Sequence, residues 1–381
     1  MKIFIIARGY PSDQEPTWGC FEKDQAEALS KKGHQVVLLS VDPRFRWFWR
    51  HLGIQCSREE SIVHYNIFLL PFAFLFFFPQ QLKYRFYTWQ LELIYKMAVK
   101  NHGVPDILYS HYLGNSRYAI YLRNKYQIPL VGIEHWSIMA HPSIPTEIIQ
   151  SAKKIYSSMD CLLTVSSSLK DNIYRQVNID SIVVPNIVGH EFCYKQHKSN
   201  DIFKIITVGR LVQGKRFDLL IKALVHIQQP FELKIIGEGP ERKNLQKLIV
   251  ENKLQDKIFL IGTKTKQEIV EHLQRSDFFV LPSQSETFGV AYIEALACGL
   301  PVIATDCGGP RDIVTESNGL LIPNEDIDAL GKAILHMVKN INEYDRIAIA
   351  RDCQNRFSSE VIAKQLTDIF EETIKRHKEQ E

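Results

Sequence analysis

The chain has 381 residues, 45% of them hydrophobic and 23% charged, and a formal net charge of +3. That length exceeds the size at which a single hydrophobic core stops growing, so two domains are expected, and the small charge excess excludes a nucleic-acid groove, which needs clustered cations. Seven cysteines, odd in number and without C-x-x-C spacing, fit a reduced, cytoplasmic protein better than a disulfide framework or a zinc site.

Residues 2–7 are an apolar run that ends at Arg8 and Gly9, too short for a secretory leader and read as a first buried strand. Further strands are predicted at 35–40, 62–69, 107–110, 130–133, 161–165 and 182–184, with helices at 21–32, 81–101, 116–126 and 168–176. The most apolar stretch, 67–78, is broken by Pro71 and stopped by Pro79, well short of a membrane-spanning helix. Strands alternating with helices predict a doubly wound parallel sheet covered on both faces, so residues 1–187 form a first α/β domain. The rhythm is lost over 188–201, an expected linker. A second series then starts, with strands at 203–208, 232–236, 258–261, 277–281, 302–304 and 319–321, giving a second such domain over 202–357. The charged tail 358–381 is a predicted helix packing toward the first domain. Ligands of doubly wound sheets lie outside the carboxyl ends of the strands, so the cleft between the two domains is the expected site.

Three turns of the second half follow strands and carry glycine or positive charge. The first holds Gly209, Arg210 and Lys215, where a guanidinium fork and an ammonium five residues on suit a diphosphate. The second holds Gly237, and the third Gly308 and Gly309 ahead of a short helix that aims amide N–H groups outward. Between them, residues 281–301 place Glu286 in a turn and Glu294 inside a helix whose start contains Thr287, Phe288, Gly289 and Val290. Buried carboxylates need partners, and two of them framing a helix start suit a nucleotide sugar: phosphate at the helix N-terminus, hydroxyls on the carboxylates. In the first half His111 and His135, the latter followed by Trp136, each close a predicted strand.

As a set, these motifs resemble the retaining family-four glycosyltransferases of the GT-B fold, over essentially the whole chain and most strongly over 203–321. The carriers are Gly209-Arg210 with Lys215, the Gly-Glu-Gly-Pro turn at 237–240, Glu286 of Glu-Thr-Phe-Gly and Glu294 with seven residues between them, and Gly308-Gly309. The resemblance implies two Rossmann-like domains and a donor site. Arg210 and Lys215 would bind the diphosphate, Glu294 the ribose hydroxyls and Glu286 the transferred sugar, with backbone amides around Phe288, Gly289 and Val290 on the phosphates. It implies that the first domain supplies the acceptor side, through His111, His135 and Trp136, and that His135, with His111 nearby, stands beside the reacting sugar, so Glu286, His135, Arg210 and Lys215 are the expected catalytic set. It also implies a glycine loop after the first strand, where the family usually has two adjacent glycines and this chain has Gly19 alone. The implied reaction moves a hexosyl group from a nucleotide-diphosphate sugar to a hydroxyl of a glycan or lipid-linked acceptor, with retention, in cell-surface polysaccharide assembly. Neither a metal nor a cofactor is expected, as no His/Cys cluster is present.

Two segments interleave aromatic rings with cations: Arg44 to His51, with Trp47 and Trp49, and Phe72 to Phe78, followed by Lys83 and Arg85. Peripheral contact with anionic lipid at the inner face of the plasma membrane is one expectation for them, and an acceptor-pocket wall or ordinary core the other. Rival functions are a UDP-sugar 2-epimerase on the same fold, recruiting His111, His135 and Glu286 as acid and base, and a nucleotide-sugar sensor without turnover.

Overall fold

The computed structural model describes residues 1–12, 14–15, 17–42, 51–59, 61–69, 79–196 and 202–380. The aromatic-basic segments at 44–50 and 72–78 lie outside them. The chain divides into two compact units, one of Met1–Val165, Lys170–Ile187 and Ser359–Glu381, the other of Ser166–Leu169 and Val188–Ser358.

The first unit begins with β1 (Lys2–Ala7), α1 (Cys20–Lys31), β2 (Gln35–Val41), β3 (Gly53–Glu59), β4 (Ile62–Phe68) and α2 (Gln80–His102). It continues through β5 (Ile107–His111), α3 (Tyr112–Tyr126), β6 (Leu130–Glu134), α4 (Thr146–Tyr156), β7 (Cys161–Thr164), α5 (Ser167–Val177) and β8 (Ile182–Val183). These strands form one sheet of order β3-β4-β2-β1-β5-β6-β7-β8. All neighbours are parallel except β3 with β4. β1 reads as an unbroken apolar run because it is buried on both faces. Phe4 and Ile6 pack on one side with Leu91, Ile94 and Tyr95 of α2 and Leu122 of α3. On the other side α1 is covered by the chain's last helix, residues Ser359–Gln380, which returns to this unit and lays Phe370 edge-on against Tyr109 at 5.0 Å.

The second unit runs β9 (Phe203–Val208), α6 (Phe217–Leu224), β10 (Phe231–Ile236), α7 (Arg242–Glu251), β11 (Ile258–Gly262), α8 (Lys266–Gln274) and β12 (Phe278–Leu281). Then come α9 (Val290–Ala297), β13 (Val302–Thr305), β14 (Gly319–Ile322), α10 (Ile327–Asn340) and α11 (Arg346–Phe357), and the Ser359–Gln380 helix is α12. The sheet order is β11-β10-β9-β12-β13-β14, parallel at every pairing. α8 starts at a full capping box between Thr265 and Glu268. α9 is apolar nearly all round, mirroring its burial on the sheet, and Tyr292 donates its hydroxyl to the Leu281 carbonyl at 2.6 Å.

The predicted parallel sheets are present, with two additions. β3 is an antiparallel edge strand, mostly exposed and polar, that the hydrophobic pattern does not mark, and α4 was not among the predicted helices. The helix expected within residues 281–301 starts at Val290, with Gly289 in the left-handed region as its N-cap.

Candidate active site

Parallel pairing sets β9, β12 and β13 side by side, so the loops after them emerge together at one carboxyl edge of the second unit's sheet. The loop after β9 carries Arg210 and, in a 3-10 turn, Lys215; the loop after β12 carries Glu286; the loop after β13 carries Gly308 and Gly309. Side chains and backbone stitch the three together. Lys215 Nζ donates to Glu286 Oε1 at 2.5 Å, and Ser283 Oγ donates to the same oxygen at 2.8 Å. The Gln284 amide donates to the Gly214 carbonyl at 2.8 Å, and the Gly309 amide to the Glu286 carbonyl at 2.9 Å. Glu286 is therefore fixed at its side chain and its backbone, only 12% of its side chain being exposed.

Glycine is required at two of these turns. A Cβ on Gly309 would sit 2.3 Å from both the Cα and the carbonyl oxygen of Phe288, and one on Gly237, at φ 140°, 1.9 Å from the Gly209 oxygen. The first contact brings the Gly308-Gly309 turn flush against the start of α9, where the amides of Val290 and its neighbours have no intrahelical acceptor. Thr287 is half-buried and Phe288 fully buried ahead of that start. Glu294, half-buried, shares the less covered stripe of α9 with Val290 and Ala291. Arg210 is exposed, and its guanidinium makes no hydrogen bond to a described residue. Burial pushes the neighbouring Cys307 thiol up to about 11, which leaves it neutral. No group of three metal-ligating side chains occurs among the described residues.

In the first unit β5 and β6 are adjacent, so His111 and His135 meet at their ends. His135 Nε2 and His111 Nδ1 are 3.3 Å apart, with rings stacked at 5.3 Å and 5°, and Phe21 stacks on His135 at 5.4 Å. Burial, then the charge of Arg8, pushes His111 down to about 3; burial, then His111, puts His135 well below the usual imidazole range. Both are neutral at pH 7, one ring donating to the other. Gly19 precedes α1 and packs on the Gly9 backbone. Trp136 is half-buried, its amide donating to Glu134 Oε1 at 2.7 Å.

Three residues outside the expected set organise this edge. Glu134, fully buried, accepts from the amides of Leu113, His135 and Trp136 and from the Tyr156 hydroxyl, all within 2.9 Å. Burial raises its pKa although all four bonds favour the carboxylate. Arg8 Nε donates to the buried Glu22 at 3.0 Å and spreads over the Tyr112 ring at 3.7 Å. Tyr112 itself takes a left-handed φ of 67°, an uncommon conformation for an aromatic residue. The run of charges Glu22, Lys23, Asp24 and Glu27 in α1 gives no sign that Glu22 alone points inward.

Residues 23–192 match the Glycosyltransferase Family 4 family, and residues 193–351 the Glycosyl transferases group 1 family. An uncharacterized glycosyltransferase of Methanocaldococcus jannaschii is 31% identical over 64% of this chain and 68% of its own. A putative teichuronic acid biosynthesis glycosyltransferase of Bacillus subtilis, TuaC, is 27% identical over 88% of each chain. Among solved structures, the Anabaena protein HepE in complex with UDP and glucose superposes with a TM-score of 0.71 over 98% of this chain and 100% of its own, at 17% identity. No helix among the described residues is long and apolar enough to cross a membrane. The chain is a member of the family-four glycosyltransferases, with two parallel-sheet α/β domains of the GT-B fold.

Proposed function

We propose that the protein transfers a hexosyl group from a nucleotide-diphosphate sugar to a hydroxyl of a glycan or lipid-linked acceptor, with retention at the anomeric carbon, in cell-surface polysaccharide assembly. The observation that carries this reading is the Lys215–Glu286 pair, with the Glu286 carbonyl held by the Gly309 amide in the turn that packs on the start of α9. A cation, outward backbone amides and a fixed carboxylate at one sheet edge match the three parts of a sugar diphosphate: phosphate, phosphate and polyol. The relation to TuaC supports a polysaccharide product, and the UDP and glucose bound by HepE, which shares the fold, support the donor class.

In this reading Arg210, Lys215 and the α9 amides meet the charge that develops on the departing diphosphate, as fixed donors worth most where charge appears. The C1–oxygen bond to phosphate breaks while the acceptor oxygen bonds C1 on the same face, and the acceptor proton passes to the leaving phosphate oxygen. Glu286 accepts from hydroxyls of the transferred sugar and Glu294 from the ribose, and the neutral His135 is assigned to hydrogen-bonding the reacting sugar. No metal is needed for these steps. A thermal-shift screen of UDP- and GDP-sugars identifies the donor, since a ligand that binds only the native state raises its melting temperature. Proton NMR of the product formed with that donor then reads the anomer: retention is expected, and an inverted product rejects this mechanism. Conversion of the donor alone into another nucleotide sugar would establish the isomerase in its place.

A further inference from the structure

Both hydrogen bonds to the Glu286 side chain fall on one oxygen. Lys215 Nζ and the hydroxyl of Ser283 donate to Oε1, and among the described residues none donates to Oε2. Ser283 stands two residues beyond β12 and is fully buried. Its backbone is gripped from three sides. The hydroxyl of Thr305, the last residue of β13, donates to the Ser283 carbonyl. The next residue, Gln284, gives its amide to the Gly214 carbonyl and accepts Asn324 Nδ2 on its own carbonyl at 2.8 Å. β12 and β13 are paired, so the loop that carries Ser283 and the strand end that holds it lie side by side.

The two donors on Oε1 respond differently to a sugar diphosphate. The Lys215 ammonium is a quarter exposed and gains phosphate oxygens as competing acceptors of like charge, so part of its grip on Glu286 is given up when the donor arrives. The Ser283 hydroxyl has no exposed surface, so no ligand reaches it, and its bond to Oε1 persists. A glutamate held by Lys215 alone would regain its side-chain torsions at the moment the ammonium turns to phosphate. Ser283 prevents this, and by occupying Oε1 it leaves Oε2 as the oxygen aimed at a sugar hydroxyl, an alignment set before the reaction begins.

We infer that Ser283 is a positioning residue of the transfer reaction, holding Glu286 by Oε1 while Lys215 turns to the donor phosphate, so that Oε2 meets the transferred sugar. This rests on the transferase reading, which gives Glu286 the sugar and Lys215 the diphosphate. The test measures release of nucleoside diphosphate from the UDP- or GDP-sugar of largest thermal shift, with calorimetric titration of that nucleotide sugar and of UDP or GDP alone. Ser283→Ala lowers kcat about tenfold, the loss of a hydrogen bond to a charged group, and keeps nucleoside diphosphate affinity within about twofold. Ser283→Cys retains the volume with a poor donor and loses as much. In a Glu286→Ala background, where Ser283 has no carboxylate to hold, adding Ser283→Ala changes the rate by less than about twofold, whereas a merely structural role gives the same loss in either background. Full activity in Ser283→Ala, a further loss of about tenfold in the Glu286→Ala background, or a parallel loss of nucleoside diphosphate affinity overturns the positioning role. Absence of release by the wild type would reject the transferase reading, and calorimetry then decides Ser283 alone. Ser283→Ala shifts the ratio of the two affinities against the nucleotide sugar by about threefold or more, and an unchanged ratio overturns the inference.

Discussion

Lys215 Nζ stands 2.5 Å from Glu286 Oε1 across 71 residues of chain, one partner on the loop after β9 and the other on the loop after β12. The pair cancels charge at the sheet edge and keeps both groups oriented. Removing the cation leaves a half-buried carboxylate facing incoming phosphate, whereas neutralising the carboxylate leaves the cation in place. Lys215→Ala is therefore expected to lower kcat/KM for the donor by about 10²–10³ and to weaken nucleoside diphosphate binding. Glu286→Gln is expected to lower kcat by a similar factor of about 10²–10³ while largely keeping nucleotide affinity. Steady-state kinetics with calorimetric titration of the nucleotide separate the two; wild-type turnover in Lys215→Ala would remove the pair from the mechanism.

Arg210 differs from Lys215 in being exposed and making no hydrogen bond to a described residue. Its truncation should leave stability within about 0.5 kcal/mol of wild type, as for surface changes generally. Nucleoside diphosphate affinity should nevertheless fall about tenfold or more, the loss of hydrogen bonds to a charged group. Chemical denaturation and titration on the same preparation check both halves, and unchanged affinity would take Arg210 out of the donor site.

Gly309 and Gly331 give opposite expectations for the same substitution. A methyl group at Gly309 collides with the Phe288 backbone at 2.3 Å, whereas at Gly331, inside α10, the nearest atom is the Ala223 oxygen at 4.0 Å. Gly309→Ala should destabilise by about 1–3 kcal/mol through overpacking and should weaken donor binding, because the turn and the α9 start must separate. Gly331→Ala should be neutral or stabilising by roughly 0.5–1 kcal/mol, the usual helical difference. Urea midpoints of the two variants decide it, and equal stability would mean that the Gly308-Gly309 turn is not packed as described.

Much of this architecture is legible before any coordinates. β1 declares itself because burial on both faces demands an unbroken apolar run, and α9 because helical spacing of apolar residues follows a polar turn. β3 is illegible for the converse reason: as an exposed edge it has no apolar face to display. α4 does carry a helical period at Ile148, Ile149, Ala152 and Ile155, a signal available in the sequence. At the sites, residue types are visible but pairings are not. Lys215 finds Glu286 only because β9 and β12 are neighbours in the sheet, an order that no local pattern encodes. Glu134 shows the same limit: it reads as an acid beside a histidine, yet it holds three backbone amides and a tyrosine hydroxyl.

The buried histidines should make stability depend on pH with a definite sign. His111 is pushed down to about 3 and His135 well below its ordinary value, whereas in the unfolded chain both titrate near their ordinary value of about 6.5. Between these values the unfolded state binds protons that the folded state does not, so their stabilising effect is complete above about pH 6.5 and is lost as pH falls toward 3. Glu134, whose pKa burial raises, runs the other way, its contribution declining as pH rises through its folded value. The difference between wild type and His111→Gln removes that opposing effect, because both proteins retain Glu134. Urea unfolding at pH 7.5 and pH 5.0 should therefore show a larger loss on acidification in wild type than in His111→Gln. The pH–rate profile should carry no inflection near 6.5 from the histidine pair, since both rings stay neutral through that range. Equal pH slopes in the two proteins would mean that His111 is not held neutral by its burial.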